Sequence, residues 1–323
     1  MPIRVLVLTP EAPEFIPYES RDLLPPPEDP RVFWIDITAP TAQELAGIAE
    51  RYGLHYLAIE DCLHDGQRPK LDSYDKHVFM VLHHPSLDRD RHAVTMQELD
   101  LFLGPNFVIT SHLDPLPMLD VVRERWAESA EVKNEGASFL VYLIADTLVD
   151  DYFPVLDHLD DRLAELDDRI FQESDRANLM HPAFELKKQL LLLRRIVGPT
   201  RDSLVLLARH ESPLLTHAAA VHIQDVYDHL IRIADTLDLY RDLASSVQET
   251  FLTMVSNRLN LSMKRLTAAT ITLMSISLVA SIYGMNFRIM PELTWQHGYA
   301  WALGLMAAIG GGCLAFFKFR GYY

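Results

Sequence analysis

The sequence is poor in cysteine, with two in 323 residues, Cys62 and Cys313. Cys313 lies inside an apolar run and Cys62 does not, so no disulfide between them is expected and no small secreted framework is implied. There is no G-x-x-x-x-G-K loop, no zinc-finger spacing, no H-E-x-x-H pair and no internal repeat. Histidines show no ligand spacing, and His83 and His84 on a strand would point to opposite faces. An enzyme reading therefore has nothing to stand on, and no organic cofactor is expected. Basic residues are scarce too: 29 Lys and Arg against 45 Asp and Glu leave a formal charge of −16. That balance argues against a nucleic-acid partner and suits a protein that handles cations. The apolar start stops at Pro10 and Glu11, too short for a cleavable leader, and reads as a strand.

Glycine and proline are absent from Leu214 to Tyr283. As one helix this stretch would span roughly 105 Å, far beyond an ordinary globular helix, which predicts a stalk. Its last part, Leu266–Phe287, and a second segment, Gly298–Phe317, carry no charged residue. Each is long enough to cross a bilayer core of about 30 Å. Lys264 and Arg265 precede the first span, and Lys318 and Arg320 follow the second. Basic flanks at both far ends predict a cell (inner or plasma) membrane protein with both termini in the cytoplasm. Tyr283, Phe287, Trp295, Tyr299 and Trp301 surround the short connecting loop and suit an aromatic belt at the outer surface.

Within the first span lies a second pattern. Asn260, Met263, Thr267, Thr270, Met274, Ser277 and Ser281 recur at alternating steps of three and four, so they share one helix face. Hydroxyls and methionines line that face while Leu, Ile, Val and Ala fill the others. Taken alone, the stripe fits a packing face between membrane helices as well as the lining of a pore.

The upstream chain reads as α/β to about residue 135. Short apolar runs at Val5–Leu8, Val32–Ile35, Val78–Leu82, Thr95–Phe102 and Phe107–Thr110 predict strands. The proline-rich Asp22–Pro30 predicts a loop. Thr41 with Glu44 forms a capping-box signature that opens a helix ending at Gly53. Leu57–Leu63 and Met118–Ala130 predict two more helices. Residues 137 to about 176 predict one long acidic helix in which Pro154 should bend the helix or remove a bond, and residues 182–197 a basic helix returning against it. Gly198-Pro199 is expected to end that helix, and Glu211-Ser212-Pro213 the short one after it.

Tyr283-Gly284-Met285-Asn286-Phe287 followed at once by Met290-Pro291-Glu292-Leu293, between the last two apolar segments, resembles the CorA family of magnesium and cobalt channels. Upstream, Glu60-Asp61 ahead of Gln67-Arg68-Pro69-Lys70, and Asp150-Asp151-Tyr152-Phe153, resemble it too, so the likeness is nearly full length. The resemblance implies a passive importer of Mg²⁺, with Co²⁺ and Ni²⁺ as further cargo, assembled as a homopentamer in the bilayer and gated by cytoplasmic Mg²⁺. It implies a selectivity ring at Gly284, Met285 and Asn286. Below that ring it implies a pore lined by the stripe together with Leu266, with Met263 and Met274 as constrictions. It also implies regulatory metal carboxylates at Asp225, Asp61, Glu60 and Asp146, facing one another between subunits. Arg288, in the outer loop with Glu292, departs from the acidic residue the family often carries there. A zinc transporter of the ZntB type and a two-span scaffold or receptor are the competing readings.

The expected fold is thus a cytoplasmic α/β domain, a long helical hairpin, and a stalk helix continuing into two transmembrane helices. Its divisions are an α/β domain over 1–135, the acidic and basic hairpin over 136–213 and the stalk over 214–265. The pore-lining span follows over 266–286, the outer loop over 287–297, the second span over 298–317 and the tail over 318–323.

Overall fold

The computed structural model describes residues 3–8, 13–17, 24–64, 66–88, 93–128, 132–170, 180–209, 214–286, 288 and 290–322. They form two compact units, Met1–Val247 and Gln248–Tyr323.

In the first unit seven strands build one sheet: β1 (Ile3–Leu8), β2 (Pro13–Pro17), β3 (Phe33–Thr38), β4 (Lys70–Ser73), β5 (Val78–Asp88), β6 (Ala93–Leu103) and β7 (Phe107–His112). Their order is β2-β1-β3-β7-β6-β5-β4. β3 and β7 pair in parallel, with Asp36 opposite Thr110, and the other neighbours pair antiparallel. The period-two alternation of β1 and β3 sends Ile3, Val5, Val7, Phe33, Ile35 and Ile37 to one face. There they pack with Leu45, Ile48 and Tyr52 of α1 (Ala42–Tyr52) and with Ala58 and Cys62 of α2 (Tyr56–Cys62). The alternate residues serve the other face, where Trp34 meets Trp126 of α3 (Met118–Glu128) edge-on at 6.3 Å. Burying such a side chain stabilises by roughly 1.5–3 kcal/mol, which commits each strand to one register.

The capping box is present: Thr41 Oγ1 accepts from the Glu44 amide at 3.2 Å, and Glu44 accepts from the Thr41 amide at 2.8 Å. Gly53 ends α1 at φ 67, a left-handed conformation that a side chain would disfavour. Sequence reading missed β2 and β4. Both are short edge strands, and β2 begins and ends in proline, so neither carries the apolar alternation of a covered strand.

The helical part departs from expectation twice. The long acidic helix is two helices, α4 (Val132–Asp150) and α5 (Tyr152–Ile170), separated at Asp151. The interruption expected from Pro154 thus falls one turn ahead of it, which leaves the proline in the first turn of α5, where its missing amide costs nothing. Gly198-Pro199 does not stop the return helix either, because α6 runs through it from Met180 to Arg209. Ile196, Val197, Thr200, Ser203 and Leu204 are buried around it, and Thr200 Oγ1 donates to the Ile196 carbonyl at 2.9 Å. Packing overrides the local break. Residues 171–179 and Glu211-Ser212-Pro213 lie outside the described residues, as do Asp22 and Leu23 of the predicted loop.

The basic arm α6 returns against α5 as expected, and its basic side chains also reach a further helix. Arg194 pairs with Asp238 at 3.1 Å, and Lys187 donates to Ser245 at 3.5 Å, both on α7 (His217–Tyr283) rather than on acidic α5. α7 is one helix of 67 residues, as the absence of Gly and Pro predicts. Its end and α8 (Gly298–Phe319) form the second unit, joined by a 3-10 turn at Pro291–Thr294. Both helices are long and apolar enough to cross a membrane.

Candidate functional site

In the second unit α7 divides cleanly by face. Ala268, Thr272 and Val279 are buried, with Ile276 half-buried against Gly310 of α8. At 100° per residue the predicted stripe lies about 180° around the helix from that face. Asn260, Met263, Leu266, Thr267, Thr270, Met274, Ser277 and Ser281 are all exposed, Met274 by 71% against 6% for Thr272. The hydroxyls of Thr272 and Ser275, which are not on the stripe, donate to the Ala268 and Ile271 carbonyls at 2.8 Å. Their polarity is absorbed by the helix itself. The stripe is thus the polar face that α8 leaves uncovered.

α7 ends at Tyr283. The Gly284 amide still donates to the Ala280 carbonyl at 3.0 Å, and Met285 to Ile282 at 3.2 Å. The backbone thus leaves the helix from Gly284 onward, with one last helical bond at Gly284, which is not among the residues with positive φ. A Cβ there would lie 3.3 Å from the Ala280 carbonyl oxygen, a tight but movable contact. Asn286 follows beyond the helix with an exposed side chain, and Arg288 and Glu292 are exposed with no ion pair between them among the described residues. Trp295 packs against Trp301 and His297, each at 6.3 Å between ring centres, while Phe287 lies outside the described residues.

In the first unit, Asp146 and Asp150 of α4 and His229 of α7 bring one ligand atom each within 4.8 Å of one another. The 3.6-residue period stacks Asp146 and Asp150 on one face of α4, and α7 supplies the imidazole. Asp146 is buried and ion-paired to Arg125 at 2.7 Å, whose other nitrogen donates to Thr147 at 2.8 Å. Burial, and after it the charge of Asp146, raises the Asp150 carboxyl above its ordinary value. His229 Nδ1 is buried with no hydrogen-bond partner among the described residues. Asp225 stands one turn before His229 and is exposed. It acts with Asp146 on the Tyr142 hydroxyl, which burial first and these carboxylates next push upward. Carboxylate oxygens suit Mg²⁺, and an added imidazole nitrogen widens the set toward Co²⁺ and Zn²⁺.

Of the predicted carboxylates, the structure thus groups Asp146 and Asp225 around Tyr142. Glu60 and Asp61 lie elsewhere in the chain, on α2. Asp61 pairs with Lys70 at 2.5 Å and Glu60 is exposed. Among the described residues neither is hydrogen-bonded or ion-paired to Asp146 or Asp225. Asp150 and His229 were missed as ligands. Their signal was the i, i+4 spacing of Asp146 with Asp150 and of Asp225 with His229.

Residues 29–319 match the family described as CorA-like Mg²⁺ transporter protein. The chain belongs to that family. It is similar to a putative metal ion transporter, YfjQ, of Bacillus subtilis, 36% identical over 90% of each chain. It is likewise similar to the cobalt/magnesium transport protein CorA of Thermotoga maritima, 33% identical over 94% of this chain and 87% of the relative. Among solved structures, the complete CorA magnesium transporter of Methanocaldococcus jannaschii superposes with a TM-score of 0.84, covering 100% of this chain and 99% of the other at 23% identity. The ZntB cytoplasmic domain of Vibrio parahaemolyticus matches with a TM-score of 0.64 over 79% of this chain at 16% identity, a likeness of fold alone. The family is one of membrane transporters and not an enzyme class, and the chain's role is divalent-cation transport.

Proposed function

We propose that the chain is a passive channel for Mg²⁺, with Co²⁺ and Ni²⁺ as further cargo. Five copies would set their α7 stripes around one pore, with residues 266–286 and 298–317 in the membrane and both termini cytoplasmic. The observation that carries this reading is the exposed stripe: one helix cannot enclose a path, and the face opposite α8 is polar, uncovered and continuous from Asn260 to Ser281. Lipid is a poor neighbour for hydroxyls, so further copies of the same face are the natural cover.

Mg²⁺ holds its waters tightly. A ring of Asn286 amides, with carbonyls near Gly284, can grip the hydrated ion without stripping it. The hydroxyls of Thr267, Thr270, Ser277 and Ser281 then exchange hydrogen bonds with its water shell. Met263, Leu266 and Met274 form apolar constrictions that dewet when narrow. An inside-negative potential of 100 mV favours entry of a divalent ion by about 4.6 kcal/mol, enough to drive import.

Regulation is proposed at the carboxylates. Asp225 of one copy would face Glu60 and Asp61 of the next, and Mg²⁺ would bridge charges that otherwise repel. Asp146 would act from its own cluster. The ion stabilises the closed state only by binding it better than the open one.

Flux by the reconstituted full chain in liposomes, with Mg²⁺, Co²⁺, Ni²⁺ and Zn²⁺ competed, tests the cargo. Saturable Mg²⁺ uptake is expected, and absence of any divalent flux overturns the channel reading. For regulation, millimolar Mg²⁺ should slow proteolysis of the wild type and not of Asp61→Ala with Asp225→Ala. Equal protection of both would place the switch elsewhere.

A further inference from the structure

The C-terminal end of α2 walls a small cavity within the first unit, about 70 Å³ in volume and lined by Cys62, Glu98, Asp100, Ser111 and His112 among others. That is room for about two waters, or for one ion with part of its shell. Asp100 of β6 is only 4% exposed, and its Oδ1 has no hydrogen-bond partner among the described residues. A buried, unpaired carboxylate oxygen is costly and calls for something to bind it. The Cys62 thiol lies within hydrogen-bonding reach of the same carboxyl. Ser111 stands opposite Asp100 in the β6–β7 register.

The other polar groups around the cavity are already engaged. His112 uses both ring nitrogens, Nδ1 with the Asp114 carbonyl at 2.7 Å and Nε2 with Asp36 at 3.1 Å. Glu98 accepts the Gly66 and Gln67 amides at 3.0 and 2.9 Å and stands 3.8 Å from His83. Cys62, Asp100 and Ser111 are the other polar side chains of its lining.

We propose that this cavity binds one thiophilic divalent cation, of the Co²⁺, Zn²⁺ or Cd²⁺ kind, through Cys62 Sγ and Asp100 Oδ1, with water completing the shell. Binding exchanges the thiol proton and the carboxyl proton for one dication, and both protons leave to solvent, so the net charge of the buried site is unchanged. Mg²⁺ is excluded because it demands a near-octahedral oxygen shell, whereas a thiolate selects softer ions. Cys62 closes α2 one residue after Asp61, so a bound ion would tie that helix end to β6. The site is separate from the stripe and from the Asp146 cluster, and its existence does not depend on the transport reading.

The test is a Co²⁺ titration of the detergent-solubilised full chain, read by the thiolate-to-cobalt charge-transfer band in the near ultraviolet. The wild type should develop the band in the presence of excess Mg²⁺. Cys62→Ser should lose it, Asp100→Asn should need about tenfold more Co²⁺ or show none, and Cys313→Ser should keep it. If Cys62→Ser misfolds, the readout is alkylation of Cys62 in the wild type, which Cd²⁺ should block and Mg²⁺ should not. No band in the wild type, a band that follows Cys313, or equal alkylation with and without Cd²⁺ overturns the proposal.

Discussion

The Arg125 guanidinium lies 2.7 Å from the Asp146 carboxylate, in the same cluster that brings Asp146 within ligand distance of Asp150 and His229. The Asp146 carboxylate is thus shared between a protein cation and the candidate metal cluster. Metal binding there competes with a partly buried ion pair.

Arg125→Gln should therefore have two effects. It leaves a buried carboxylate without its counter-charge, which should cost roughly 1–3 kcal/mol of stability in metal-free buffer. It should also lower the Mg²⁺ or Co²⁺ concentration that restores that stability. Thermal unfolding with and without metal reads both effects. A variant as stable as wild type, with the same metal dependence, would remove Arg125 from any regulatory role.

Asn286→Ala should abolish Mg²⁺ flux while the chain still assembles, because it deletes the only side-chain oxygen of the triplet. Gly284→Ala separates two explanations. Within one chain its Cβ meets only the Ala280 carbonyl oxygen at 3.3 Å and the Ser281 carbonyl oxygen at 3.6 Å, so folding should survive with a shift of a few tenths of an ångström. Loss of flux in that variant would then report crowding at an assembled pore mouth. Normal flux would show that Gly284 is not needed for passage.

Met274→Ser and Gly310→Leu make a contrasting pair. Met274 is 71% exposed in the chain, so its replacement should leave stability nearly unchanged and, if it is a dewetting constriction, should leave a leak at high internal Mg²⁺. At Gly310 even a Cβ would come 2.9 Å from Ile276 Cδ1, so leucine there should cost about 1–3 kcal/mol by prising the two membrane helices apart. Flux and thermal midpoint, measured on both variants, distinguish a pore face from a packing face.

Arg288→Glu should speed Mg²⁺ uptake at low metal and low ionic strength, and added salt should shrink the difference, because an exposed ring of charge acts through a screened field. Equal rates at every salt concentration would show that the loop charge does not steer the ion.

Asp100 has a pH signature of its own. Its carboxyl is held at about 7 in the fold against 3.8 when unperturbed. The folded state therefore binds more protons than the unfolded state between those values, and this group's contribution to stability falls as pH rises through that window. Asp100→Asn should lack this loss and gain on the wild type by roughly 2–4 kcal/mol by pH 8, with little difference near pH 4. Thermal midpoints of the metal-free proteins across that range check the sign.

Much of this protein was legible in one dimension because its signals are local or periodic. The capping box from Thr41 to Glu44 needs only neighbouring residues, and it is present with Gly53 at the predicted end. The long run without Gly or Pro makes one 67-residue helix because nothing in it breaks the backbone ladder. The three-four spacing from Asn260 to Ser281 puts these residues on one helix face whatever their neighbours are.

Tertiary structure decided what depends on partners distant in sequence. It selected which face of α7 is covered, because Gly310 lets α8 approach at Ile276 and leaves the stripe bare. Edge strands β2 and β4 exist only because β1 and β5 offer them a ladder. α6 crosses Gly198-Pro199 because burial of Val197, Thr200 and Leu204 outweighs one missing amide. His229 joins Asp146 and Asp150 only because α7 packs beside α4, and Cys62 meets Asp100 only because α2 closes over the sheet. Local propensity is written in neighbouring residues, whereas a ligand set drawn from two elements forms only when the chain's buried faces bring those elements together.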